Sequence, residues 1–158
     1  YQEVTGVQTC ALPISSGGAA LRAAGARGAA GPSLLGALLV DLPTGLNAGW
    51  LAAASGIGLT LAAQHGPSWT RRLATPAGGA VLLTALSAYA AGMAAFLASA
   101  PATAFVGAGY AGATIWACRG IQARPVCARP IKRAARRGVW AAAAGLAAGL
   151  IWGALKRA

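Results

Sequence analysis

The sequence has few charged residues and almost no acidic ones. Only 9% of its 158 residues are charged, and two are Asp or Glu against 13 Lys or Arg. An average soluble domain carries charge on about 25% of its residues, and it needs that charge to stay in solution. The scarcity of charge therefore argues strongly against a water-soluble domain. The hydrophobic content of 57% excludes a disordered chain.

Residues that carry out chemistry are equally scarce. The chain has one histidine, His65, and three cysteines. Nucleophilic and acid–base catalysis need a nucleophile beside a base, and a structural zinc site needs four ligands. Cys118 and Cys127 have no histidine near them in sequence, and no glycine-rich phosphate loop with a lysine is present. We therefore predict no enzyme, no catalytic residue, no metal site and no cofactor.

The first residues have an unusual pattern. Residues 4–14 read VTGVQTCALPI, which resembles the conceptual translation of a sequencing-library adapter. We therefore interpret residues 1–15 as an artefact to be left out of fold reasoning, and we expect part of the gene to be missing upstream. Asp41 is then the only acidic residue of the native part.

What the sequence does contain is long uncharged runs rich in alanine and glycine. A bilayer core of about 30 Å is crossed by about 20 apolar residues in a helix. The runs predict an all-α, polytopic membrane helical bundle with about four transmembrane helices. Pro76 marks a helix start and Pro101 a turn. The predicted spans are about 45–64, 77–98, 103–118 and 138–155.

The prediction is less simple before the first span and at the last span. Residues 16–41 are predicted as a loop, with an apolar piece at 33–40 that is too short to span, and the transmembrane domain then covers 42–158. The sequence Asp41-Leu-Pro-Thr-Gly45 predicts a break before the first span. The alternative for 138–155 is a helix lying on the membrane, although a polar face is missing there.

The basic residues lie in short runs between the apolar stretches, which is typical of membrane topology and not of nucleic-acid binding. With four spans, two basic loops share one side, with nine positive charges against four on the other. This imbalance predicts that both basic loops are cytoplasmic. We expect the membrane to be a bacterial inner membrane. The run in the second loop could alternatively bind anionic lipid head groups. The loop residues are Arg71, Arg72, Arg119, Arg124, Arg129, Lys132, Arg133, Arg136 and Arg137.

Small residues repeat at helical spacing in the last run. Gly145, Gly149 and Gly153 form a tandem GxxxGxxxG, and residues four apart share one helix face. Such a stripe lets a partner helix approach closely, either within the chain or in a homo-oligomer. Gly45 and Gly49 form a single GxxxG, which a glycine-rich chain produces by chance.

Polar residues near the first span are candidates for function. An ionisable group in hydrocarbon is costly and marks a functional site by default, but Asp41 is predicted just outside the span, where water or head groups solvate it. Asn47 lies one turn into the span and should face a partner or a cavity. Trp50 lies three residues further, on nearly the same face.

Residues 42–55, LPTGLNAGWLAAAS, resemble the fifth helix of the TspO/MBR family, the tryptophan-rich sensory or translocator proteins. That helix opens with Leu-Pro, and a tryptophan and then a small residue follow. Pro43, Trp50 and Ala54 match these positions, whereas Asn47 stands where the family has tyrosine and Gly58 where it often has asparagine. A weaker resemblance covers residues 105–121, with Tyr110 and Trp116.

The resemblance implies a membrane protein that binds porphyrin, heme or another hydrophobic ligand among its helices, often as a dimer. Pro43, Asn47, Trp50 and Ala54 would be the ligand-binding residues. The expected partners are the lipid bilayer, a hydrophobic small molecule and a second copy of the chain, with no nucleic acid. Two alternatives stay open: an oligomeric structural or channel-forming protein built on the glycine stripe, and a fragment of a transporter.

Overall fold

The computed structural model describes residues 33–67 and 71–158, without the side chains of residues 57–65. Every regular element in this part of the chain is helical, so the predicted all-α bundle is confirmed. The adapter-like residues 1–15, and residues 16–32 of the loop predicted for 16–41, lie outside the described residues. The long helices are α1 (Leu42–His65), α2 (Pro76–Ala98), α3 (Ala104–Ala123) and α4 (Arg129–Leu155).

The start of α2 follows directly from its sequence. Thr75 has an extended backbone, and its hydroxyl accepts a hydrogen bond from the Gly78 N–H at 3.1 Å. Pro76 then occupies the first turn, where the missing N–H costs nothing. A 3₁₀ turn at Pro101–Thr103 separates α2 from α3. The turn predicted at Pro101 between the second and third spans is therefore present.

The predicted break at Asp41–Gly45 is wrong. The chain is helical without interruption from Leu34 to His65, through a π-helical turn at Ala37–Asp41. Pro43 removes one N–H from the helix, and an adjacent wider turn is a common way for a helix to accommodate such a residue. The Thr44 hydroxyl donates to the Val40 carbonyl at 2.6 Å.

Two other helices are longer than the apolar runs that predicted them. The third span was predicted over 103–118, but α3 continues to Ala123, and the Gln122 side chain donates to the Cys118 carbonyl at 3.3 Å. The fourth was predicted over 138–155, but α4 begins at Arg129 and includes residues 129–137, which carry five of the seven positive charges of the second basic loop. Pro130 in its first turn explains the early start, because proline favours this position. Hydropathy locates the apolar part of a helix and does not locate its ends.

The helices alternate in direction and pack in parallel pairs. Gly45 lies against Val106 and Tyr110, and Gly49 lies against Tyr110 and Ala113, so α1 runs parallel to α3. Helix α4 runs parallel to α2 in the same way. These two parallel pairs form the most extensive contacts, and α3 also packs against α2 and α4. The core therefore depends on pairs of helices that are not neighbours in sequence.

The interior is built from small side chains. Among the described residues no large side chain is completely buried, and the core consists mainly of alanine and glycine. Many large apolar side chains lie on the outside instead, among them Val81, Phe96, Trp116, Trp140 and Ile151. An apolar exterior around a closely packed small-residue interior is the arrangement that suits lipid.

Within the part of the chain that the structure describes, three helical segments are long and apolar enough to cross a membrane: Leu34–Gly56, Pro76–Ala98 and Arg129–Leu155. The last includes the predicted span 138–155. Helix α3, predicted as a span over 103–118, is not among the three; eight of its residues are buried. The length and composition of the three segments indicate association with a membrane.

Candidate functional site

The four residues proposed as ligand-binding lie on one outward face of α1. Pro43, Asn47, Trp50 and Ala54 follow a spacing of four, three and four residues, which keeps them on one side of a helix. Three of them are exposed, and Ala54 is half-buried. Gly45 follows Pro43 by two positions, and Gly49 follows Asn47 by two positions. Two positions correspond to a rotation of about 200° around the helix, so the glycines lie on the opposite face.

Trp50 has an aromatic partner on α3. The ring centroids of Trp50 and Trp116 are 5.2 Å apart, and the ring planes are inclined by 59°. Both the distance and the tilt are in the favourable range for aromatic pairs. The close packing of Gly45 and Gly49 against α3 brings the two helices near enough for these rings to touch. Small residues on one face of α1 therefore position a large residue on another.

The tryptophan pair forms an open surface and not an enclosed cavity. Trp50 keeps 45% of its side chain exposed and Trp116 keeps 66%. Asn47 is exposed one turn before Trp50. The surface thus offers two aromatic faces, the indole N–H groups and one amide. Such a surface can stack against a flat apolar molecule and donate hydrogen bonds to its polar edge.

The tandem glycine stripe is covered within the chain. A β-carbon on Gly145 or Gly149 would overlap the backbone of Ala91 or Ala95 on α2, and one on Gly153 would overlap the backbone of Ser99, directly after α2. The stripe is therefore the surface on which α4 packs against α2. A second copy of the chain cannot use it without displacing α2.

Asp41 is buried, whereas the sequence placed it among head groups. Its side chain is 3% exposed, and it lies on the π-helical turn that packs against α3. Because the helix does not break at Pro43, Asp41 stays inside the candidate span Leu34–Gly56.

The thiols are in different surroundings. Cys118 is buried, and Cys127 is half-buried in the connection between α3 and α4. Within the described ranges no three His, Cys, Asp or Glu residues come together as metal ligands. The side chain of His65 lies outside the described part of the chain.

One end of the bundle is strongly basic. The end of α3 and the starts of α2 and α4 meet there, because successive helices run in opposite directions. Asp41, the only acidic residue of the described part, lies at the opposite end, where α3 begins. The positive charge at the basic end is therefore not balanced by carboxylates of that part of the chain.

Comparison of the chain with protein-family models, with curated proteins and with solved structures found no match.

The partner of Trp50 was not predicted from the sequence. Trp116 was noted only as part of an aromatic segment. The available signal was the combination of GxxxG at Gly45 and Gly49 with a second glycine-rich segment around Gly109. A β-carbon on Gly109 would fall 2.8 Å from the Leu46 backbone nitrogen, so both helices contribute small residues to this contact.

Proposed function

We propose that the protein is an integral membrane protein that binds a flat hydrophobic ligand, of porphyrin type, at the surface formed by Trp50 and Trp116. The observation that carries the proposal is the contact between these two rings across α1 and α3. Their exposure gives a ligand direct access, and the resemblance of residues 42–55 to the TspO/MBR family supports the choice of ligand class.

The chemistry of the surface fits an amphipathic flat molecule. Two inclined rings form a shallow wedge in which one ring stacks on the ligand face and the other touches its edge. Asn47 adds a donor and an acceptor one turn away, suited to a carboxylate or a ring nitrogen at the ligand's rim. Pro43 and Ala54 would extend the contact along the same face of α1.

The proposed location is the bacterial inner membrane, with the basic end in the cytoplasm. Support comes from the collection of positive residues at one end of the bundle, together with the tendency of Lys and Arg to remain on the cytoplasmic side. The surface of Trp50 and Trp116 then faces lipid, and a hydrophobic ligand would reach it through the bilayer.

The test is a titration of the full chain in detergent with protoporphyrin, following the absorbance of the porphyrin. Trp50→Leu and Trp116→Leu should each weaken binding by about two- to tenfold, because an aromatic contact contributes about 0.5–1.5 kcal/mol beyond its buried area. Trp140→Leu is the matched control, since Trp140 is 72% exposed on α4 and has no place in the pair. Equal binding by all variants would refute the proposal.

A further inference from the structure

A groove between α2 and α4 combines an apolar floor with two guanidinium groups. Its volume is about 550 Å³, and its floor includes Ala80, Ala85 and Ala88 on α2. Arg133 and Arg137 line it from α4. Both arginines are exposed, so their charged ends can reach a ligand at the mouth of the groove.

The register of the two helices fixes where the arginines lie. A β-carbon on Gly79 would lie 3.6 Å from the Ile131 Cδ1 atom, so Gly79 is beside Ile131. Gly138 is beside Ser87 in the same way. Arg133 and Arg137 therefore lie alongside the part of α2 between Gly79 and Ser87. They are four residues apart, on one face of α4.

The arginines stand at the border of the apolar segment. After Arg137 no charged residue occurs in α4 up to Leu155. These 18 residues span about 27 Å at a rise of 1.5 Å per residue, close to the thickness of a hydrocarbon core. Arg137 is thus placed where lipid head groups meet acyl chains.

The floor of the groove is apolar because its side chains are short or internally satisfied. The Thr84 hydroxyl donates to the Ala80 carbonyl at 2.8 Å, which satisfies it within α2. The alanines leave a channel along the helix that a methylene chain can fill. An acyl chain gains by this contact, whereas a free phosphate ion does not.

We infer that this groove binds one anionic phospholipid, with its phosphate on Arg133 and Arg137 and the first part of an acyl chain on the alanine floor. Guanidinium groups suit phosphate oxygens because they can donate paired hydrogen bonds. Charge complementarity favours an anionic lipid over a zwitterionic one, since the basic end is not balanced by carboxylates of the described residues. The inference does not depend on the tryptophan pair.

The test uses the full chain in a mild non-ionic detergent and native mass spectrometry to count bound lipids. Phosphatidylglycerol should bind as a single tightly held molecule, and phosphatidylcholine with the same acyl chains should bind at least tenfold more weakly. Soluble glycerol phosphate should not compete at equal concentration. Equal binding of the two lipids, or full competition by glycerol phosphate, would overturn the inference.

Two kinds of variant distinguish lipid binding in the groove from diffuse attraction of lipid to the positive charge of the protein. Arg133→Gln with Arg137→Gln should weaken phosphatidylglycerol binding by about 30-fold, since each basic residue near an anionic lipid contributes about 1 kcal/mol. Arg124→Gln with Arg129→Gln removes the same charge outside the groove and should have an effect of less than about threefold. Equal weakening by both pairs would mean that only diffuse electrostatic attraction acts, and the groove would be discarded.

The second kind of variant places a large side chain on the floor of the groove and leaves every charged residue unchanged. Ala88→Phe should weaken phosphatidylglycerol binding, whereas Ala147→Phe, at an exposed position of α4 outside the groove, should not. Circular dichroism of each variant checks that the helices are intact. Unchanged binding by a folded Ala88→Phe protein would also reject the groove.

Discussion

The backbones of Gly149 and Ala95 touch, so that no side chain fits between them. A β-carbon at position 149 would lie 2.8 Å from the Ala95 Cα atom and 2.9 Å from its carbonyl carbon. Both atoms belong to the backbone of α2 and cannot move aside as a side chain can. The close approach of α2 and α4 is therefore a property of the glycines on α4.

Gly149→Ala should destabilise the bundle by about 1–2 kcal/mol. Overpacking a close contact costs about 1–3 kcal/mol, and the better helix propensity of alanine returns part of that. Reversible unfolding of the full chain in increasing mole fractions of sodium dodecyl sulfate, followed by circular dichroism, measures the change.

The matched control is Gly92→Ala on α2. A β-carbon on Gly92 has no heavy atom within 4 Å, so the substitution adds helix propensity without a clash. It should leave the free energy of unfolding unchanged or raise it by up to about 1 kcal/mol. If Gly149→Ala behaved like Gly92→Ala, the α2–α4 contact described above would be wrong.

Gly138 marks a junction of three helices and gives a second prediction. A β-carbon there would lie 2.5 Å from the Ser87 Oγ atom on α2 and 2.9 Å from the Cys118 Sγ atom on α3. Gly138→Ala should therefore destabilise the protein by about 1–3 kcal/mol. Adding Ser87→Gly should restore part of this loss, because it removes the closest atom.

A double-mutant cycle on unfolding free energies tests this coupling. The loss caused by Gly138→Ala should be smaller in the Ser87→Gly background by at least about 0.5 kcal/mol. Additive effects of the two substitutions would contradict a direct contact between these positions.

Cys127 reports on the orientation of the basic end. It is half-buried in the connection between α3 and α4, among the basic residues, whereas Cys118 is 3% exposed. In a chain with Cys10→Ser, a membrane-impermeant maleimide should label Cys127 only after the cells are permeabilised, because positive loops remain on the cytoplasmic side. Labelling of intact cells would reverse the proposed topology.

A chain with Cys10→Ser and Cys127→Ser is the control for the labelling experiment. Its only thiol is Cys118, which should stay unlabelled in permeabilised cells and react after unfolding. Rapid labelling of Cys118 in the folded protein would conflict with its burial among α2, α3 and α4.

The sequence predicted the helices better than their pairing. Pro76 and Pro101 located the α2 boundaries because proline acts locally on the backbone. The break expected at Pro43 was wrong because a π-helical turn accommodates the proline. The pairing of α1 with α3 could not be predicted, since GxxxG patterns are common in this glycine-rich chain and do not specify which helix they meet.

The candidate site could be predicted only in part, because the sequence shows the spacing of residues along one helix and not the register between two helices. Helical spacing alone grouped Asn47 with Trp50 on one face of α1. It could not supply Trp116, because contact between the two rings depends on the register of α1 against α3. Nor could it show that the face lies open, since the same apolar residues would suit a buried face.

The parallel pairing of α1 with α3 has a consequence for biosynthesis. Gly49 emerges about 60 residues before Tyr110 and Ala113, the residues on which it packs. At a synthesis rate of roughly 5–20 residues per second, the part of α3 that contacts α1 is synthesised several seconds after α1. During that interval Asp41 is without the helix that later covers it. Until α3 is synthesised, the face of α1 that carries Gly45 and Gly49 therefore lacks the surface that it contacts in the finished bundle.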